Sequence, residues 1–253
     1  MNQSAFSLER RNVIVTGANT GIGQGIALAI AEAGGHVIGI ARSSMDETAD
    51  LIARAGGELT PIHCDLGDTS AARALLAELL ARHGPVHGLV NNAGIIRRAD
   101  ALQHSEADWD DVLQLNLKLV FVLSQAFAAA AIERGHPARI VNIASLLSFQ
   151  GGIRVAAYAA SKHGVAGLTK AMANEWTAHG INVNAIAPGY VTSNNTEALR
   201  NDPDRSAAIL ARIPAARWGT PADIANVAVF LLAEASSYMS GAIVPVDGGW
   251  LGR

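Results

Sequence analysis

Residues 12–26 read NVIVTGANTGIGQGI, and this stretch decides the fold. Asn12 to Val15 is a short β-branched run of the kind buried on both faces of a sheet. Thr16-Gly17-Ala18-Asn19-Thr20-Gly21-Ile22-Gly23 follows at once, and apolar positions at Ile22, Ile26, Ile30 and Ala33 then recur at helical spacing. A strand that turns through glycines straight into a helix leaves unpaired backbone amides and the positive end of the helix dipole at the strand's carboxyl edge. Gly17, Gly21 and Gly23 allow the tight turn and the close approach of a pyrophosphate, so the turn reads as a dinucleotide-phosphate site. The spacing is not G-x-G-x-x-G, and no Gly-Lys-Ser/Thr follows, which disfavours a P-loop nucleotidase. A glycine-rich turn with no ligand is the plain structural alternative.

Working outward, similar apolar runs recur at Val37 to Ile40, Leu59 to His63, Val86 to Val90, Arg139 to Ile143, Ile181 to Ile186 and Ala242 to Val246. Helically spaced segments such as Val112, Leu115, Leu119 and Leu123 lie between them, with turns at Gly34-Gly35, Gly56-Gly57 and Gly84-Pro85. Strand and helix in alternation predict an α/β protein: a single-domain, Rossmann-type doubly wound parallel sheet of about seven strands, flanked by helices on both faces. Residues 1–253 are read as one dinucleotide-binding catalytic domain. Asn194-Asn195, Pro203 and Pro214 break the alternation, so about 190–217 is expected to form a substrate flap or a plain surface excursion.

Composition sets the outer bounds. Half of the 253 residues are apolar, 16% are charged, and 19 Lys+Arg stand against 22 Asp+Glu, which describes a folded globular protein. The net charge of −3 and scattered basic residues make nucleic acid an unexpected partner. Residues 1–11 lack the apolar core and cleavage site of a targeting signal, no uninterrupted apolar run suits a membrane span, and a lone cysteine, Cys64, has no partner for a disulfide. A cytoplasmic protein with no membrane partner is expected, with Cys64 read as a buried small apolar residue rather than a nucleophile. The eight histidines show no His-x-x-x-His spacing, so no metal is expected, and His163 reads as a surface or packing residue.

The chemistry gathers later in the chain. Tyr158 and Lys162 are four apart in the helical segment Ala156 to Met172, and so share a face. An ammonium beside a phenol favours phenolate, and is expected to draw the Tyr158 pKa down towards working pH. Ser145 follows the Arg139 to Ile143 strand, at the same sheet edge as the first glycine-rich turn.

These features, with Asp65, Asn91-Asn92-Ala93-Gly94, Asn116 and Pro188-Gly189, occur in an order that resembles the short-chain dehydrogenase/reductase superfamily over nearly the whole chain. The resemblance implies a catalytic tetrad: Tyr158 as acid/base, Lys162 lowering its pKa and holding the nicotinamide ribose, Ser145 binding the substrate oxygen, and Asn116 keeping a water in the proton relay. It implies dinucleotide contacts from Gly17, Asn19, Thr20, Gly21, Ile22, Gly23, Asp65, Leu66, Asn92, Ala93, Gly94, Pro188, Gly189, Val191 and Thr192, together with Tyr158 and Lys162. The family is usually tetrameric, and the apolar ending Ala242 to Leu251 with Trp250 would pack against a neighbouring subunit or within the monomer.

Two readings narrow the specificity. Ile40-Ala41-Arg42-Ser43 places no acidic residue at the end of the second strand, so Arg42 would meet a 2′-phosphate and favour NADP, or would stack on adenine. The segments Asn91 to Arg98, Asn142 to Val155, Asn184 to Thr196, Ile213 to Gly219 and Val246 to Arg253 resemble the subgroup of 2-deoxy-D-gluconate 3-dehydrogenases, also called 2-dehydro-3-deoxy-D-gluconate 5-dehydrogenases. That subgroup implies a small sugar-acid substrate from pectin breakdown and usually uses NAD, so the cofactor stands as NAD or NADP. Besides Ser145 and Tyr158, substrate contacts are expected from Gln150, Arg154, Asn194 and Asn195, with Arg154 taking the carboxylate ahead of the pair Arg97-Arg98. A 3-oxoacyl thioester reductase and a non-catalytic dinucleotide sensor are the competing functions.

Overall fold

The structure, a computed structural model, describes residues 4–253; the first three residues of the segment 1–11 lie outside them. In chain order the elements are β1 (Asn12–Thr16), α1 (Gly21–Glu32), β2 (His36–Ala41), α2 (Asp46–Arg54), β3 (Leu59–His63), α3 (Thr69–Arg82), β4 (Val86–Asn91) and α4 (Glu106–Leu113). After them come α5 (Leu119–Glu133), β5 (Ala138–Ile143), α6 (Ala156–Trp176), β6 (Ile181–Pro188), α7 (Glu197–Arg200), α8 (Pro203–Arg212), α9 (Pro221–Leu232) and β7 (Ile243–Val246). All seven strands pair in parallel, in the order β3-β2-β1-β4-β5-β6-β7. The seven expected runs are these strands, with ends shifted by one or two residues.

Strand alternation sends successive side chains to opposite faces, and two cores result. Val13 and Val15 face α1 and α9, where Ile26, Ile30, Ile224 and Ala228 are buried with them. Ile14 faces the other side, with Leu76 and Leu79 of α3, Phe127 of α5 and Met172 of α6. Chain order reverses between β1 and β4, and loops that diverge from neighbouring strands open a crevice at their carboxyl ends. Thr16 ties that crevice together: its hydroxyl donates to the Val90 carbonyl at 3.2 Å and accepts from the Asn92 and Ala93 amides at 3.0 Å each.

The stretch Glu106–Glu133, the one helical run among the described residues with a membrane span's length and hydropathy, has half of its most apolar window buried in the protein. The expected flap is not irregular: it carries α7 and α8, and α8 is started by Asp202, whose carboxylate accepts from the Arg205 amide at 3.0 Å, and by Pro203 in the first turn. Trp250 is buried within the chain against Leu146, Ile209 and Ile213, so of the two positions open to it the intramolecular one is occupied.

Candidate active site

The β1–α1 turn is built around glycine. Gly17 and Gly21 have φ of +67° and +56°, and a Cβ at Gly23 would sit 2.1 Å from the Gly17 carbonyl oxygen, so a side chain there would break the turn. No side chain caps the N-terminus of α1, and its first turn holds no acidic residue. By contrast, the Asp68 carboxylate accepts from the Ser70 and Ala71 amides at the start of α3. The uncapped turn opens on a cavity of about 310 Å³ lined by Gly17, Asn19, Thr20, Gly21, Ile22, Gly23, Asn92, Ala93, Gly94, Pro188, Gly189 and Val191. Ser145, Tyr158, Lys162, Asn194 and Asn195 complete it.

An uncapped helix end, glycine where the backbone must stay bare and a cavity lining without Asp or Glu fit a bound pyrophosphate. Four sequence candidates lie elsewhere. Arg42 sits beyond the end of β2 with its guanidinium 4.0 Å from Asp65, both largely exposed, while Leu66 is buried in the core and the Thr192 amide donates to the Gly219 carbonyl.

A second cavity of about 190 Å³ adjoins the first and shares Ser145, Tyr158, Pro188, Gly189, Asn195 and Thr196 with it. Ser145 lies just beyond β5, its hydroxyl oxygen accepting from the Leu147 amide at 3.2 Å. Tyr158 and Lys162 lie one turn apart on α6, and the Lys162 ammonium is 5.5 Å from the centre of the Tyr158 ring. Lys162 is buried and donates to the Ile143 carbonyl at 2.6 Å; burial lowers its pKa to about 8.

The electrostatics of Tyr158 differ from the sequence expectation. Burial pushes its phenol up, and the forces opposing that rise are a hydrogen bond with Ser145 and the charge of Arg98. Lys162 spends its short hydrogen bond on the Ile143 carbonyl instead of on the phenol.

Asn116 is fully buried in a π-helical turn, Gln114–Lys118, between α4 and α5. Its side-chain carbonyl accepts from the Ile95 amide and its amide donates to the Ile95 carbonyl, both at 2.8 Å, with a longer bond of 3.4 Å to Ser161. It thus holds the loop after β4 from behind Gly94, and lines neither cavity itself.

The substrate candidates divide. Gln150 and Asn195 line the second cavity, and Gln150 accepts from the Trp250 indole at 3.3 Å. Arg154 does not line it: with φ of +65° it turns away, its guanidinium 3.7 Å from Asp100. Arg97 is also spent, on Asp108 at 3.2 Å and Asp111 at 3.7 Å. The arginines that do line the cavity are Arg98 and Arg205. Arg205 was not singled out from the sequence. The signal was there in Asp202-Pro203, which starts a helix and puts Arg205 one turn before the buried Ile209.

Cys64 is half-buried at the rim of a core cluster rather than fully enclosed, and burial with Asp65 and Asp68 nearby pushes its thiol up, which suits an inert residue. His163 is exposed and bonded to its own helix at the Ala159 carbonyl.

Fold and cleft together define an α/β oxidoreductase of the dinucleotide-binding type. A family model described as enoyl-(acyl carrier protein) reductase matches residues 17–251. The 2-dehydro-3-deoxy-D-gluconate 5-dehydrogenase of Escherichia coli (strain K12) is 53% identical over 250 residues, covering 99% of each chain. A solved structure from Agrobacterium tumefaciens, provisionally described as a 2-deoxy-D-gluconate 3-dehydrogenase with bound NADP, is 56% identical, covers 100% of both chains and superposes with a TM-score of 0.95. A gluconate 5-dehydrogenase from Burkholderia cenocepacia, in complex with NADP and tartrate, is 35% identical over 100% of both chains, with a TM-score of 0.93. The chain belongs to the short-chain dehydrogenase/reductase family and is an oxidoreductase.

Proposed function

We propose that the protein is a nicotinamide-dependent dehydrogenase of 3-deoxy sugar acids, interconverting a hydroxyl and a ketone in the manner of a 2-dehydro-3-deoxy-D-gluconate 5-dehydrogenase. The observation that carries this is the convergence of Ser145, Tyr158 and Lys162 where two joined cavities meet: one bare and glycine-lined, the other carrying arginines. The E. coli relative of that name and the Burkholderia enzyme with its bound hydroxy-dicarboxylate agree with it.

The residues divide the work. The β1–α1 turn, Asn92 to Gly94 and Pro188-Gly189 would hold a dinucleotide, which when bound would supply the hydride acceptor or donor. In the oxidising direction the Tyr158 oxygen takes the proton of the substrate hydroxyl, and in the reducing direction it returns that proton to the carbonyl. Ser145 donates a hydrogen bond to the oxygen as its charge develops. Lys162, with no carboxylate beside it, supplies a positive field at the sheet edge that favours phenolate over phenol. Asn116 fixes the loop that carries Gly94 and Ile95.

Either NAD or NADP suits the cleft, and Arg42 inclines the choice to NADP, since Ile40-Ala41-Arg42-Ser43 holds no acid and the guanidinium, largely exposed, is only loosely held by Asp65 at 4.0 Å. We infer further that the described flap covers the substrate within one catalytic domain, and that the enzyme works in the cytoplasm in the breakdown of pectin-like uronic acids. A homotetramer follows the family's usual assembly, and an open groove lined by Leu113, Leu117 and Phe121 against Gly164 and Leu168 of α6, with Asp110, Asp111 and Lys118 along it, offers a face for a second copy.

The test is reduced-nicotinamide absorbance on a panel of 3-deoxy-hexulosonates, simple ketones and 3-oxoacyl thioesters, run with both dinucleotides. Turnover confined to the sugar acids is expected; activity on thioesters alone would overturn the substrate class. Arg42→Asp is expected to raise the KM for NADPH far more than for NADH, and equal rises would remove its role. Light scattering checks the tetramer.

A further inference from the structure

The two joined cavities have an uneven charge balance. The chain carries an excess of acids, 22 against 19 Lys+Arg, yet no Asp or Glu lines either cavity, while Lys162, Arg98 and Arg205 do. Of the other arginines near the site, Arg97 is neutralised by Asp108 and Asp111 and Arg154 by Asp100, while Arg200 donates to the Ser193 carbonyl and Arg212 stacks on Trp250. Arg98 and Arg205 have no carboxylate within 4.0 Å among the described residues. Arg98 is steadied by one donated bond, to the Asn195 carbonyl at 2.9 Å.

Both arginines are exposed at the rim of the cavity, where water screens their charges, and a carboxylate entering it meets two guanidiniums that no acid has already claimed. Their charges already act on the neighbouring phenols, Arg98 opposing the rise of Tyr158 and Arg205 that of Tyr190, each rise being caused mainly by burial. The two come from different parts of the chain. Arg98 follows β4 on the fixed sheet edge, whereas Arg205 rides on α8, whose Ile209 packs on Leu146, the neighbour of Ser145.

We propose that Arg205 is a specificity-determining residue that, with Arg98, binds the substrate carboxylate and so selects sugar acids over neutral ketoses. The inference rests on the sugar-acid reading above and adds the residue that enforces it. A carboxylate in this cavity bridges the flap and the sheet edge, and only an acid gains that bridge.

The experiment compares Arg205→Gln, Arg205→Lys and the control Arg154→Gln with the unaltered enzyme on 2-dehydro-3-deoxy-D-gluconate and its uncharged methyl ester, with dinucleotide saturating. Arg205→Gln is expected to raise KM for the acid roughly tenfold to a hundredfold, with little effect on the ester, so the preference for acid over ester collapses. Arg205→Lys should recover part of the loss, Arg154→Gln should match the unaltered enzyme, and KM for the dinucleotide should hold throughout. An unchanged acid-to-ester ratio in Arg205→Gln would overturn the proposal, as would an equal loss on both substrates. Calorimetric titration of tartrate into the protein–dinucleotide complex reads the anion subsite without turnover. Should the unaltered enzyme turn over no sugar acid, the substrate reading fails, while tartrate binding lost on Arg205→Gln would still place an anion there; tartrate binding unaffected by that substitution would remove the subsite too.

Discussion

Strand β5 lies beside two buried cations, and they are treated differently. At its amino end Arg139 donates to the Asn182 side-chain carbonyl at 3.0 Å and stands 3.6 Å from the Glu234 carboxylate. At its carboxyl end Lys162 is equally buried but meets only the Ile143 carbonyl, and its pKa falls to about 8. Burial lowers the pKa of both, and only Arg139 has an acid to restore it. A cation that merely supports the fold is paired, because an unpaired buried charge is costly. One left unpaired has its field free to act on a neighbour, which is what the Tyr158 phenol requires, since its own burial works against ionisation. Stability is given up at the carboxyl end of the strand for the chemistry done there, and kept at the amino end, where none is done.

The sharpest break comes at the unpaired end. Tyr158→Phe is expected to lower turnover by roughly a hundredfold to ten-thousandfold while dinucleotide binding, followed by fluorescence titration, persists. Lys162→Met should also abolish most turnover, yet raise stability, by on the order of 1 to 3 kcal/mol below pH 8 in denaturant melts. The sign follows from linkage: the folded-state pKa of about 8 lies below the ordinary 10.5, so the unfolded chain binds the extra proton between those values. The unaltered protein therefore gains stability as pH rises from about 8 to 10.5, and the advantage of Lys162→Met shrinks over that window. A destabilised Lys162→Met at pH 7 would show that the bond to Ile143 outweighs the burial of charge.

At the paired end the effects reverse. Glu234→Gln should cost about 1 to 2 kcal/mol and leave turnover per folded molecule unchanged, since it strands a buried guanidinium far from the cleft. The smallest effect belongs to the histidines of the same amino edge. His36 and His87 are held below their ordinary 6.5, mainly by burial, so their contribution to stability is present above pH 6.5 and lost as pH falls through their folded values. The double substitution His36→Gln, His87→Gln is expected to flatten the acid limb of a thermal-melt profile measured between pH 7 and 5. An unaltered slope would place the acid sensitivity elsewhere.

Much of the cleft was legible because local pattern carries it. Gly17, Gly21 and Gly23 mark a turn that only bare backbone can make, and Tyr158 and Lys162 share a helix whose pitch alone puts them on one face. Arg154 shows where that logic stops. Its position in the loop between Ser145 and Tyr158 suggested the cavity, but its left-handed backbone turns it to Asp100, and a residue 51 positions further along, Arg205, comes in over the site. At Tyr158 it is burial, a long-range property, that pushes the phenol up against the lowering expected from Lys162. Adjacency on the helix brings Lys162 near, but the Ile143 carbonyl, supplied by another element, takes its hydrogen bond.

Local pattern was enough for the alternation of strands and helices, the glycine turn at the head of α1 and the chemical character of the residues at the sheet's carboxyl edge, because apolar period and glycine placement act over a few residues at a time. The order of the strands, the pairing of the cations, the arginines that reach the cavity and the packing of Trp250 over the flap came instead from long-range assembly. Pairing and burial depend on partners far apart in sequence, such as Arg139 with Glu234 or Gln150 with Trp250, and their energies exist only once the sheet has brought them together.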